Sequence, residues 1–109
     1  MLKIVIYYKN QDITGFTVEG HANYAPKGED IYCAGVSAIT QTALIGLAHH
    51  LENIPEYMVE SGDMKVFLDE NISSADNEKA QIILTTMLAG LEFMEKSYNE
   101  FLKVEIRRC

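Results

Sequence analysis

The stretch IYCAGVSAITQTALIGLAHHL, Ile31–Leu51, decides the fold. Val36, Ile39, Ala43, Leu47 and Leu51 recur at spacings of three or four, the period of a helix with one buried face. Ala34, Ala38, Ile45 and Ala48 form a second apolar stripe, so the helix is apolar over most of its circumference. One surface cannot cover such a helix. A sheet is expected on one side, and a second helix or a second subunit on the other.

On the N-terminal side, Leu2, Ile4, Ile6 and Tyr8 alternate with Lys3, Val5, Tyr7 and Lys9, the pattern of a strand. Asn10-Gln11-Asp12 is a turn signal. Ile13, Phe16 and Val18 continue into a second strand ending near Glu19, with Gly15 read as a bulge. Gly20 to Asp30 (GHANYAPKGED) breaks all periodicity and reads as a mobile loop, with Gly20 and Gly28 as candidate hinges. On the C-terminal side, Pro55 closes the helical region. Tyr57–Glu60 and Met64–Leu68, around Ser61-Gly62-Asp63, read as a second hairpin. Asp69–Asp76 is polar and turn-like, and Ser73, Ser74 and Asp76 are candidate helix N-caps. Ala80, Leu84, Met87, Leu91, Met94 and Tyr98 then trace a helical stripe to about Asn99, and Phe101, Val104 and Ile106 suggest a closing strand. The order ββ-α-ββ-α-β predicts a two-layer α+β domain, a mostly antiparallel sheet with both helices on one face.

With 109 residues the chain allows one compact domain, and 48% apolar residues supply one core. No apolar run is read as approaching the ~20 residues that span a bilayer, and MLKIVIYYKN reads as a strand rather than an export signal. No membrane association is expected. Sixteen acidic against nine basic residues give a net charge of −7, which argues against direct nucleic-acid binding and suits a basic protein or a small molecule. Two cysteines make no disulfide scaffold, and a reducing, cytoplasmic setting would leave both as thiols. Cys109, beside a fraying end, has no evident role.

Chemistry concentrates at His21, where the second strand stops, and Cys33, in the first turn of the long helix. A thiolate there would face unpaired N–H groups and the positive end of the helix dipole, which lower a thiol's pKa. An imidazole alongside would accept its proton, giving a cysteine nucleophile with a histidine base. The same N–H groups are candidates for an oxyanion hole. A strand end and a helix start become neighbours when the linking loop folds outward, and that loop would then cover the site as a lid. Tyr24 and Tyr32 flank it and are candidates for lining a cleft. Asp30 has two readings, as the helix N-cap or as a third member orienting His21. Ser37, four residues beyond Cys33 on the same face, could bond within the site or back to its own helix. The bland alternative is that Cys33 is a small buried hydrophobe and His21 a structural residue. His49-His50 point about 100° apart on a helix, and no zinc-ligand spacing occurs, so no metal site is expected. Their reading is a favourable interaction with the helix C-terminus.

These residues carry a family likeness. Gly20-His21-Ala22, followed by Gly28, Asp30-Ile31, Cys33-Ala34 and Val36-Ser37, resembles the signature of the ribosomal-processing cysteine proteases, Prp. The likeness spans nearly the whole chain; Gly35 stands where many members carry alanine. It implies a single cysteine protease domain over residues 1–109. That domain would be an endopeptidase removing the N-terminal extension of a large-subunit ribosomal protein precursor by cleavage after paired aromatics. Cys33 would be the nucleophile and His21 the base, with no metal or organic cofactor. It further implies a homodimer formed through a helical surface, which would account for the second apolar stripe. The rival reading is a non-catalytic dimeric module binding a peptide or ribosomal component through the same cleft. A weaker one is a thiol redox sensor.

Overall fold

A computed structural model of the chain describes every residue except 23, 24 and 27–29. Five strands and two helices follow one another as β1 (Leu2–Lys9), β2 (Asp12–Glu19), α1 (Ile31–His50), β3 (Glu56–Glu60), β4 (Asp63–Phe67), α2 (Ser74–Ser97) and β5 (Leu102–Arg108). The expected order and the two-layer α+β class hold.

The strands form one sheet in the order β3-β4-β2-β1-β5. Three of its four pairings are antiparallel, while β1 and β5 run parallel in the register Leu2↔Leu102 to Tyr8↔Arg108. Parallel neighbours need a long crossover, and the chain from β4 through α2 supplies it. In the β1–β2 ladder Tyr7 pairs with Gly15 but Tyr8 with Ile13, so Thr14 is the extra residue of a bulge beside the expected position.

The period-2 patterns send Ile4, Ile6, Phe16, Met64, Val66 and Leu102 to one face. There they meet Val36, Ala43 and Leu47 of α1 and Ala80, Leu84, Met87 and Leu91 of α2 in one buried core. At about 25 cal/mol per Å² of apolar surface removed from water, this burial is the main stabilising term. Ser73 caps α2 by accepting the N–H of Asp76 at 3.1 Å. Asp76, read as a candidate cap, does something else: it is buried and accepts the N–H groups of Glu52 and Asn53 at 3.0 and 3.3 Å, just past the end of α1. It satisfies backbone donors left over where one helix ends by reaching from the start of the other.

The second stripe of α1 stays uncovered: Ala34, Ala38 and Ala48 are exposed, and Ile45 is 67% exposed. Within the helix Val36, Thr40, Ala43 and Leu47 are buried, and the half-buried Ile39 packs against α2 at Gly90. By length and composition α1 could cross a membrane (20 residues, mean hydropathy 1.5), against the sequence expectation. Between Ala34 and Ala48 its polar positions are serine, threonine and glutamine, which interrupt an apolar run without adding charge. Here 28% of that apolar stretch is buried, with Val36, Ala43 and Leu47 in the core.

Candidate active site

β2 lies beside β4 in the sheet, so the chain leaving β2 must pass the β3–β4 turn. The ladder ends at Glu19↔Asp63, and Gly20 N–H donates to the Gly62 carbonyl at 3.0 Å, one step further. His21 therefore emerges over that turn. Its imidazole lies across Gly62: a Cβ built there would stand 2.8 Å from Nε2 and 3.1 Å from Cε1. Gly20 is left-handed (φ +88°) and packs against the Met1 carbonyl. Gly20 is one candidate hinge, and Gly28, the other, lies outside the described residues.

Cys33 arrives from the other side, in the first turn of α1. Asp30 caps this helix, its Oδ1 accepting the N–H of Tyr32 at 3.0 Å and of Cys33 at 3.1 Å. The cap reading therefore accounts for Asp30. No hydrogen bond joins it to His21 among the described residues. The N–H of Ala22, next to His21, donates to Cys33 Sγ at 3.2 Å and ties the strand end to the helix start.

The electrostatics differ from the sequence expectation. Burial pushes the Cys33 thiol above its ordinary value of 9.0; the Ala22 N–H opposes this, and the neighbouring Asp30 carboxylate adds to it. A helix start offers free N–H groups, but here the Asp30 carboxylate satisfies those of Tyr32 and Cys33, and it disfavours a second anion alongside. For the same reason the amides of Tyr32 and Cys33 are not free to form an oxyanion hole.

An open cavity of about 820 Å³ lies between these elements. His21 and Gly20 border it from the end of β2, Cys33 and Ser37 from α1, and Val59 to Asp63 from the β3–β4 hairpin. Ala25 and Pro26 line it from the intervening segment. Ser37 is exposed to this space, and the hydroxyl that bonds back to the helix is that of Thr40, to Val36 O at 2.8 Å. The Asp63 carboxylate also borders the cavity, with Oδ1 buried and unpartnered among the described residues, and Glu19 and Glu60 stand opposite it in register. Of the two tyrosines expected at the cleft, Tyr24 lies outside the described residues. Tyr32 turns away to stack on Phe101, ring centroids 4.3 Å apart. Gly35 gives close access to α2, since a Cβ there would stand 3.2 Å from Met94 Cε.

Among the described residues no cluster of His, Cys, Asp or Glu could hold a metal ion. His49 and His50 are exposed at the end of α1, and both cysteines are free thiols. The N–H of Cys109 extends the β1–β5 ladder to Tyr8 O at 3.1 Å. Sequence reasoning missed Gly62 and Asp63; the glycine in a hairpin turn was the available signal, but nothing in it pointed to His21.

The family model for cysteine protease Prp matches residues 1–103. The chain belongs to the Prp cysteine protease family. It is 34% identical over 99 residues to the ribosomal processing cysteine protease Prp of Staphylococcus aureus (strain Mu50), covering 87% of this chain and 88% of that one. To the Prp of Bacillus subtilis (strain 168) it is 32% identical over 98 residues, covering 87% of each. It superposes on the crystal structure of S. aureus Prp bearing a covalently linked product peptide with a TM-score of 0.85 at 26% identity, over 98% of this chain and all of that one. The S. aureus enzyme with a substrate peptide gives 0.81 at 25% identity, with the same coverage. As a Prp-family member the chain is a cysteine protease, and Cys33 is the cysteine of the two that borders the cavity.

Proposed function

We propose that this protein is an endopeptidase that removes the N-terminal extension of a large-subunit ribosomal protein precursor, using Cys33 as nucleophile and His21 as base. One observation carries the reading. The end of β2 and the start of α1 open on one cavity, and the Ala22 N–H joins them at the Cys33 sulfur. The relatives are named for ribosomal processing, which supports a ribosomal protein substrate.

In the reaction His21 takes the Cys33 proton and the thiolate attacks the scissile carbonyl. The amine leaves with the proton returned by His21, and a thioester remains on Cys33. Water, deprotonated by His21, then hydrolyses it. Without substrate the sulfur is bonded to Ala22 and its pKa is raised, so the pair assembles when peptide enters. Catalytic hydrogen bonds often tighten only in such a complex.

A charge of −7 favours capture of a basic ribosomal protein. The exposed Ile45 of α1, with Ile82 and Phe93 of α2, supplies the surface for a homodimer. Ribosome assembly in the cytoplasm is the setting. Incubation with a peptide spanning the precursor's processing site, read by mass spectrometry, tests the proposal. A single cut by the wild type, lost in Cys33→Ala, supports it; an uncut peptide refutes the substrate assignment.

A further inference from the structure

The seat of the His21 ring is made by Gly62, far away in sequence. Gly62 holds φ +75° in the β3–β4 turn, a conformation that side chains other than Asn rarely adopt. Its missing Cβ is also what lets the imidazole lie there. An ideal Cβ would stand 2.8 Å from Nε2, 3.1 Å from Cε1 and 3.6 Å from Cδ2, in contact with much of the ring. The chain on either side is fixed. Gly20 N–H bonds the Gly62 carbonyl at 3.0 Å, and Ala22 N–H bonds the Cys33 sulfur at 3.2 Å, so His21 sits between two anchors. Among the described residues no hydrogen bond holds the ring itself. Contact with the Gly62 backbone is what remains to set its orientation.

We propose that Gly62 is a positioning residue for the histidine base. The bare turn is a flat platform that holds the imidazole at the wall of the cavity that Cys33 also borders, and any Cβ at position 62 evicts it. A displaced ring is cheap for the fold, because the atoms in the way are the free end of a side chain. It is costly for proton transfer, where a misplacement of about 1 Å can cost on the order of a hundredfold in rate. The inference rests on the reading of His21 as the base.

Gly62→Asn is the informative variant. Asn tolerates positive φ, as Asn10 already does at φ 57° in this chain, but it carries a Cβ. Expected are a melting temperature close to wild type and kcat for the precursor peptide lower by roughly tenfold to a hundredfold. KM should change less than kcat: Gly62 borders the cavity, so the new side chain touches its wall, but the larger effect falls on the ring that moves the proton. The histidine limb of the pH–rate profile should move with kcat. NMR should show a cross-relaxation contact between the His21 ring protons and the Gly62 α-protons in the wild type, and a moved His21 Cε1–H resonance in the variant. A variant of wild-type kcat and pH profile would overturn the proposal, and so would the absence of that contact in the wild type, a result that does not depend on the variant folding. His21→Ala separates the two ideas. If it is inactive while Gly62→Asn works normally, the base stands and the platform falls. If it remains active, both fall.

Discussion

Asp30 Oδ1 accepts the backbone N–H of Cys33 at 3.1 Å, so the carboxylate that starts α1 also faces the sulfur that α1 presents. This contact stabilises the helix and disfavours the thiolate. The two effects separate in Asp30→Asn, since Asn is about as good an N-cap as Asp. The variant should lose well under 1 kcal/mol of stability. The midpoint for alkylation of Cys33 should fall, because one of the causes raising its pKa is removed. An unchanged midpoint, measured as alkylation rate against pH, would mean that burial alone holds the thiol up.

The raised Cys33 pKa also has a consequence for folding. In the unfolded chain the thiol ionises near its ordinary 9.0, whereas the folded state holds its proton to higher pH. Between those two values the native state binds more protons, so stability falls as pH rises. The Cys33 contribution is fully present below pH 9 and is lost as pH climbs through the raised value. Urea unfolding of the wild type and Cys33→Ser from pH 7 to 10.5 should show the wild type losing stability faster above about pH 9. Parallel curves would contradict the shift.

Asp76 is buried and accepts two backbone N–H groups beyond the end of α1. Asp76→Ala leaves both donors unpaired and should cost about 3 kcal/mol in chemical denaturation. Asp76→Asn keeps an acceptor oxygen and should cost less. Equal losses for the two would point to charge rather than hydrogen bonding.

Phe93 and Ile45 are 74% and 67% exposed on α2 and α1. If the helices form the dimer surface, Phe93→Glu or Ile45→Glu should shift the sedimentation profile from dimer to monomer with little change in monomer stability. A wild type that sediments as a monomer at micromolar concentration removes this part of the account.

All seven elements were legible because their periods differ: two for Leu2 to Tyr8, three and four for Val36 to Leu47. The parallel pairing of β1 with β5 was not, since Phe101, Val104 and Ile106 suggest a strand without naming its neighbour. At the site, the approach of Cys33 and His21 to one cavity was legible from their places at a helix start and a strand end. The raised thiol pKa was missed because a helix start was read for its donors, and the same Asp30 that caps them is a charge beside the sulfur. Gly62 was missed because its partner is brought to it by the β2–β4 ladder, which only the folded sheet defines.

The central claim is that Cys33 attacks the scissile carbonyl. Acid quench of the enzyme with a precursor-site peptide, followed by intact-mass and peptide mapping, tests it most directly. The account predicts a thioester adduct of the N-terminal fragment on Cys33, with neither adduct nor cleavage in Cys33→Ala. Cleavage that persists in Cys33→Ala, or an adduct that maps to another residue, would contradict it.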